Sequence, residues 1–409
     1  MIKSSRLPYI NFISLLCALQ IPFLVSGPFL PDLTLSLLSI YFFTFCIKNN
    51  YYKKFTNIYF ILFLIFCLAI VISSILSDYA SYSLKTSLTY IRIGIFSALI
   101  SYLIDENKKI LNYFYLSFFL TYSALIVDGY YQYFNKENLF GTPLYHPSRV
   151  SSFFGDELIL GSFLSRTLPL FVALFIIKKK KLWEIYFFPI FLILISILIV
   201  FSGERASLLF LLISFLLILI LISKYKKIKI LFFTLFFLSF SILFASDNKI
   251  SERFIKSPIE SIGFEKNKIN LFSPQHESLF LTARNIFLDK PIFGSGPRTF
   301  RLECKNPKYA QGIMPCQTHP HNFYFQILAE TGLSGFLFLV GLFSYIVIIL
   351  TKHFFIKIIK NNAILTDFQI CLFVGLLITV WPFTTNGNFF SNYLMITYGL
   401  QMGFFRRNI

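Results

Sequence analysis

Charge is scarce in this sequence. Asp, Glu, Lys and Arg make up 14% of its 409 residues, and only 19 of them are acidic. Hydrophobic residues supply 56% of the chain, 54 of them Phe, in runs too long for the core helices of a soluble protein. A soluble globular fold is thereby excluded. The first apolar run lacks a small-residue cleavage site, so it reads as a first spanning helix rather than a removable signal. A single membrane domain is expected along these residues, and no internal repeat is visible. The missing inverted repeat and the missing pair of broken helices in the two halves argue against a transporter.

What remains is apolar segments and the short polar stretches between them. A hydrocarbon core about 30 Å thick needs roughly 20 apolar residues per helix. Twelve spans are expected, near 9–27, 33–47, 55–77, 86–104, 111–134, 158–177, 182–200, 206–223, 228–246, 322–350, 363–382 and 388–405. The expected fold is an all-α integral membrane protein of about 12 transmembrane helices. Residues 1–245 carry helices 1–9, 246–321 form one long external loop with short helices, and 322–409 carry helices 10–12.

Basic residues give the orientation, because cytoplasmic loops carry the Lys/Arg excess. On one side lie Lys3, Arg6, Lys48, Lys53, Lys54, Lys108, Lys109, Lys178–Lys181, Lys224, Lys226, Lys227, Lys229, Lys352, Lys357, Lys360, Arg406 and Arg407, twenty in all. The short loops opposite hold four: Lys85, Lys136, Arg149 and Arg205. This asymmetry places both termini in the cytoplasm. It also accounts for most of the +18 net charge as topology anchors, with no nucleic acid required. The 246–321 segment then lies outside, with eleven basic and seven acidic residues.

That segment holds Cys304 and Cys316, which form a disulfide or remain two thiols; an oxidising periplasm allows the bond. Cys17, Cys46, Cys67 and Cys371 lie in spans as small apolar side chains. Residues 276–289 (HESLFLTARNIFLD) have helical apolar spacing, ended by Pro291 and a turn at Gly294-Ser-Gly296. The GSG lacks the strand and helix context of a nucleotide loop. Loops 135–157, with Arg149, Asp156 and Glu157, and 201–205 can converge with the long loop on one membrane face.

Charges at membrane boundaries or within spans are expensive and call for a partner or a function. Arg205 is either a snorkelling side chain paired to Glu204 or an anion-binding group. Arg284 sits in the 276–289 helix near the rim of any cavity beneath it, and Arg298 and Arg301 follow the glycine turn. Arg92 and Arg166 lie inside spans, Arg166 as half of an ion pair or as a substrate contact.

The chain has five histidines, two of them in THPHNFYFQILAETGLSGF, residues 318–336. A helix over 322–350 would be about 43 Å long at 1.5 Å per residue, longer than the hydrocarbon core. Gly332 divides it into an interfacial piece and a span. His321 then stands at a helix N-terminus, where the partial positive charge favours neutral imidazole. Such a group suits a general base beside a phosphate leaving group better than a zinc ligand, since no Cys, His or Asp set with metal spacing is near. Glu330, nine residues on and on the far side of the helix, is expected to pair with an Arg or Lys.

At these residues the chain resembles the O-antigen ligase family, within the larger group of O-antigen ligase and polymerase membrane proteins. The family motif is His-(Asn/Ser/Gln), nine residues, then Gly-x-x-Gly. Here it reads His321-Asn322, 323–331, Gly332-Leu-Ser-Gly335. The resemblance also maps essential arginines onto Arg205, after Ser202-Gly203-Glu204, and onto Arg284, before Pro291, Gly294 and Gly296. Between Arg284 and Pro291 the family's usual aromatic appears as Phe287, a mild departure that touches packing, and 149–161 (RVSSFFGDELILG) is a looser match. What the resemblance implies is metal-independent, inverting transfer of polysaccharide from undecaprenyl diphosphate to the lipid A core, at the periplasmic face of a bacterial inner membrane. His321, Arg205 and Arg284 would be catalytic. Asn322, His319, Arg298 and Arg149 would contact substrate, and Gly332, Gly335, Gly294 and Gly296 would be structural. No cofactor or metal is implied, and no DxD-like pair lies in the external loops. The implied partners are the undecaprenyl-diphosphate glycan donor, the lipid A-core acceptor and membrane lipids. The other readings are an O-antigen polymerase, a protein O-oligosaccharyltransferase and, in another class, a polysaccharide-lipid transporter.

Overall fold

Helices dominate the computed structural model, which describes residues 7–178, 180–262 and 272–405. Among these residues the only β pairing is two isolated bridges, Glu137–Pro143 and His146–Arg149. Lys3, Arg6, Lys179, Arg406, Arg407 and the 263–271 part of the long polar segment lie outside the described residues.

The first half of the chain forms α1 (Ile10–Ala18), α2 (Gln20–Val25), α3 (Phe29–Lys48), α4 (Ile58–Ile75), α5 (Ala80–Glu106) and α6 (Lys109–Asn135). Then come α7 (Leu160–Ile177), α8 (Leu182–Phe201), α9 (Arg205–Leu221) and α10 (Lys226–Ser246). The polar segment contributes α11 (Asn248–Ser251), α12 (Ser257–Ile262), α13 (Pro274–Asp289) and α14 (Phe300–Glu303). Three apolar helices follow: α15 (Phe323–Lys360), α16 (Asp367–Thr379) and α17 (Asn392–Phe404).

Eight of the described helices, α3–α8, α10 and α15, are long and apolar enough to cross a membrane. The chain is a multi-pass membrane protein. The other four expected spans coincide with shorter helices. The first is divided at Leu19: Pro22 has no N–H for the Ala18 carbonyl, which accepts from Ser117 Oγ instead (2.7 Å). α9 has 17 residues. α16 and α17 have 13 each, because 380–391 between them is partly buried, non-helical backbone. Irregular backbone at such depth persists only where protein supplies its hydrogen bonds. Here Tyr324 Oη donates to Val380 O (2.7 Å), and Asn322 Nδ2 donates to Pro382 O (2.7 Å) and Thr384 O (3.1 Å).

α7 and α16 are buried nearly end to end and pack on each other and on α9, while α5 packs on α3, α4 and α17. Arg92 on α5 ion-pairs with Asp32 on α3 (2.5 Å), which meets the cost of one span-borne cation.

α15 breaks at Gly332, whose φ of 60° and ψ of −156° suit glycine alone. The break frees backbone groups that the Pro291–Gly296 turn takes up. Ser295 N donates to Ala329 O (3.0 Å), Gly296 N to Glu330 O (2.8 Å), Leu333 N to Pro291 O (2.9 Å) and Ser334 N to Ile292 O (3.1 Å). The two glycine motifs, some forty residues apart in sequence, are therefore one structural unit. Ser77, in the turn between α4 and α5, and Ser83 of α5 seat it: Ser77 Oγ donates to Ser295 O, and Ser83 Oγ to Pro297 O (3.1 Å). A Cβ at position 332 would come within 2.5 Å of the Ile292 carbonyl. Gly332→Ala is expected to destabilise the protein by about 3 kcal/mol, read as a lowered melting temperature in detergent; an unchanged melt would contradict this docking.

Candidate active site

The docked turn aligns α13 with the start of α15, and three histidines meet there. His321 precedes the cap residue Asn322, whose side chain accepts from Tyr324 N (2.9 Å) and Phe325 N (3.3 Å). The helix-end position expected for His321 thus belongs to Asn322, with His321 one residue outside it at φ 57°. The His319 ring lies 4.2 Å from that of His321, and His276, in the first turn of α13, meets it edge-on at 5.6 Å. Phe280 stacks on Phe325 at 4.4 Å and fastens α13 to α15 below the histidines.

Burial pushes the His321 imidazole down from 6.5 to about 4, with a smaller push from His276. Burial, followed by His321, takes His319 to about 3. Both rings are neutral at neutral pH. His319 Nε2 faces Asn386 O (3.2 Å) and Nδ1 faces Thr318 Oγ1 (2.9 Å). A carbonyl can only accept, so His319 carries its proton on Nε2. His321 keeps both ring nitrogens without a hydrogen-bond partner among the described residues, while its carbonyl accepts from Asn386 N (2.7 Å).

Three arginines form a second group around the Ser202–Arg205 turn. Arg149 Nε donates to Ser202 O (3.2 Å) and its Nη2 to Leu158 O (3.0 Å). Arg253 Nε donates to Gly203 O (2.6 Å). Arg205 does not pair with Glu204: its Nε donates to Arg253 O (2.9 Å) and its Nη2 to Ser257 Oγ (2.8 Å). Burial lowers Arg253 to about 10, helped by Arg149 and Arg205, so the cluster is short of negative charge. Its nearby carboxylate, Glu204, is committed to Gly161 N (2.7 Å), Ser162 N (3.0 Å) and Ser207 Oγ (3.0 Å). Burial pushes Glu204 up to about 7 against the pull of Arg149.

A buried polar path joins the two groups. Glu204 holds Ser162; Ser162 Oγ accepts from Arg166 Nε (3.2 Å); Arg166 Nη2 donates to Asn386 Oδ1 (2.5 Å); Asn386 holds both histidines. Arg166 has no carboxylate within ion-pair distance among the described residues, so the ion-pair alternative does not hold.

Other candidates are placed differently. Glu330 is fully buried and accepts from Phe300 N (3.1 Å) and Gln326 Nε2 (3.0 Å), with no Arg or Lys side chain paired to it among the described residues. Backbone amides freed beside the glycine unit take the place of the expected cation. Arg284 is exposed on α13, about 12 Å along the axis from His276. No described contact brings it to His321. Arg298 adopts φ 64°, and the Nε atoms of Arg298 and Arg301 are buried without a partner. Cys304 and Cys316 are bonded, Cα–Cα 5.0 Å apart, tying the chain three residues before His319 to the end of α14. Among the described residues no three His, Cys, Asp or Glu side chains could together hold a metal ion.

Sequence reading passed over Arg253, His276 and Asn386. Only His276 left a signal, as one of five histidines in a segment already suspected. Arg253 and Asn386 come from segments whose approach to the site is purely tertiary.

Residues 190–340 match the family model described as O-Antigen ligase. That interval contains Arg205, Arg253, His276, the paired glycine motifs and His321. None of the curated proteins compared with the chain matches it.

Proposed function

Given that the chain belongs to the O-antigen ligase superfamily, we propose that it transfers polysaccharide from undecaprenyl diphosphate to the lipid A core. In this reading the twelve helical segments all cross or enter a bacterial inner membrane, and both termini are cytoplasmic. The 246–321 segment and the candidate site face the periplasm. The observation that carries the reading is His321: a neutral imidazole with open ring nitrogens, linked by buried polar groups to a cluster of three under-neutralised arginines.

The chemistry follows from those two groups. The lipid tail of the donor stays in the bilayer while Arg205, with Arg149 and Arg253 beside it, binds diphosphate oxygens; guanidinium suits bidentate contact with such an anion. Arg284, exposed on the same segment, reaches the donor from α13. His321 accepts the proton of an acceptor hydroxyl. The hydroxyl oxygen attacks the anomeric carbon from the face opposite the diphosphate, the carbon–oxygen bond to the diphosphate breaks, and its electron pair leaves with the diphosphate. Attack from the opposite face inverts the configuration. Preorganised cations beside the growing negative charge provide the largest expected term, and the step requires no metal.

Electrophoresis of lipopolysaccharide from cells lacking this protein tests the assignment. Bare lipid A core, with polymer accumulating on undecaprenyl diphosphate, is expected. A core carrying a single repeat unit would identify a polymerase instead and contradict the ligase reading.

A further inference from the structure

Arg166 is the largest fully enclosed side chain of α7, at 2% exposure, set between the rings of Phe210 (4.7 Å) and Phe323 (5.8 Å). A guanidinium in such a place is costly unless its donors are met. Those donors go to Ser162 Oγ (3.2 Å), Thr379 O (3.0 Å) and Asn386 Oδ1 (2.5 Å). Two of the three acceptors border or belong to the 380–391 segment, whose described helical hydrogen bonds are confined to its ends, Val380 N to Leu376 O and Met395 N to Ser391 O. Asn386 in turn spends its whole backbone on the histidines, N to His321 O and O to His319 Nε2. A salt bridge would have met the charge of Arg166 more directly. The arrangement is better suited to holding one asparagine still.

We propose that Arg166 is a positioning residue for the histidine pair, acting through Asn386. The guanidinium fixes the Asn386 side chain. The Asn386 backbone then keeps His321 in its left-handed conformation and His319 in the Nε2-protonated tautomer. The His321 ring is thereby aimed at the acceptor hydroxyl with both nitrogens open. His276 and Arg301 are the other titratable or charged groups facing the pair, and neither contacts Asn386. This inference rests on the base role given to His321 above.

The test is steady-state transfer by the full chain reconstituted in lipid, comparing wild type with Arg166→Gln and Arg166→Ala. Misaiming a base by about 1 Å costs on the order of a hundredfold, so kcat is expected to fall roughly tenfold to hundredfold with KM for the donor little changed. The acid limb of kcat/KM should move up in pH as the histidines loosen and gain water. Added methylguanidinium should restore part of the activity of Arg166→Ala and none to His321→Ala. If the Arg166 variants do not fold, Asn386→Ser is measured in their place and should give the same fall in kcat and the same shift. An undiminished kcat would overturn the inference. So would a loss accompanied by a wild-type pH profile and no chemical rescue, since that marks a merely structural arginine. A wild-type protein that releases no glycan from lipid diphosphate would instead overturn the functional reading itself.

Discussion

Cells whose only copy carries His321→Ala are expected to make lipid A core without polysaccharide, although the protein inserts at normal levels. A positioned general base contributes roughly 10²- to 10⁴-fold, enough to remove a visible ladder. His321 meets the geometric requirement, because its ring nitrogens have no described partner while those of His319 are both engaged. His319→Ala should therefore be the milder change, acting through the ring 4.2 Å away. The pH dependence has a definite sign. His321 is lowered from 6.5 to about 4, so the base stays unprotonated as pH falls through 6.5 and activity fails only nearer 4. Stability follows the same direction. The folded state favours the neutral ring, a contribution complete above the unfolded value of 6.5 and lost as pH falls from there toward 4. An acid limb centred near 6.5 in the wild type would show a solvent-exposed histidine and contradict the site.

Arg205→Ala is expected to lower kcat by roughly 10²- to 10³-fold, the usual cost of deleting one preorganised group that stabilises transition-state charge. Arg205 is exposed, so the loss should come without a fall in melting temperature larger than its hydrogen bonds to Arg253 O and Ser257 Oγ explain. Lysine should not restore the rate, because an ammonium cannot make the planar two-point contact with a diphosphate. Its effect should also exceed that of Lys85→Ala, at an exposed position of α5 outside both groups. Equal rates for Arg205→Ala and wild type would remove the arginine cluster from the mechanism.

Much of this architecture is legible in the sequence, and its failures have physical causes. Apolar runs locate every long helix, because burial in lipid demands uninterrupted hydrophobic length. They overstate α16 and α17 at their facing ends, because the expected spans take in 380–382 and 388–391, where the backbone of Val380, Pro382 and Phe389 is instead held by the side chains of Tyr324, Asn322 and Gln326. Gly332 and the Gly294–Gly296 turn are each visible as breakers; that they bond to one another is a long-range fact without local trace. The same holds for the site. His321 and Arg205 announce themselves by cost and position. Glu330 misleads, since a buried carboxylate suggests a cation and here takes backbone amides instead. Arg166 is conspicuous as a charge in a span, but its link to Asn386, more than two hundred residues away, requires the packed bundle.

The central claim is best tested with the purified chain in lipid nanodiscs, given a glycan on undecaprenyl diphosphate and lipid A core as acceptor. The wild type should produce glycan-bearing lipid A core and free undecaprenyl diphosphate in equal amounts, and His321→Ala should produce neither. Release of undecaprenyl diphosphate without product on the core, or an undiminished rate in His321→Ala, would contradict the account.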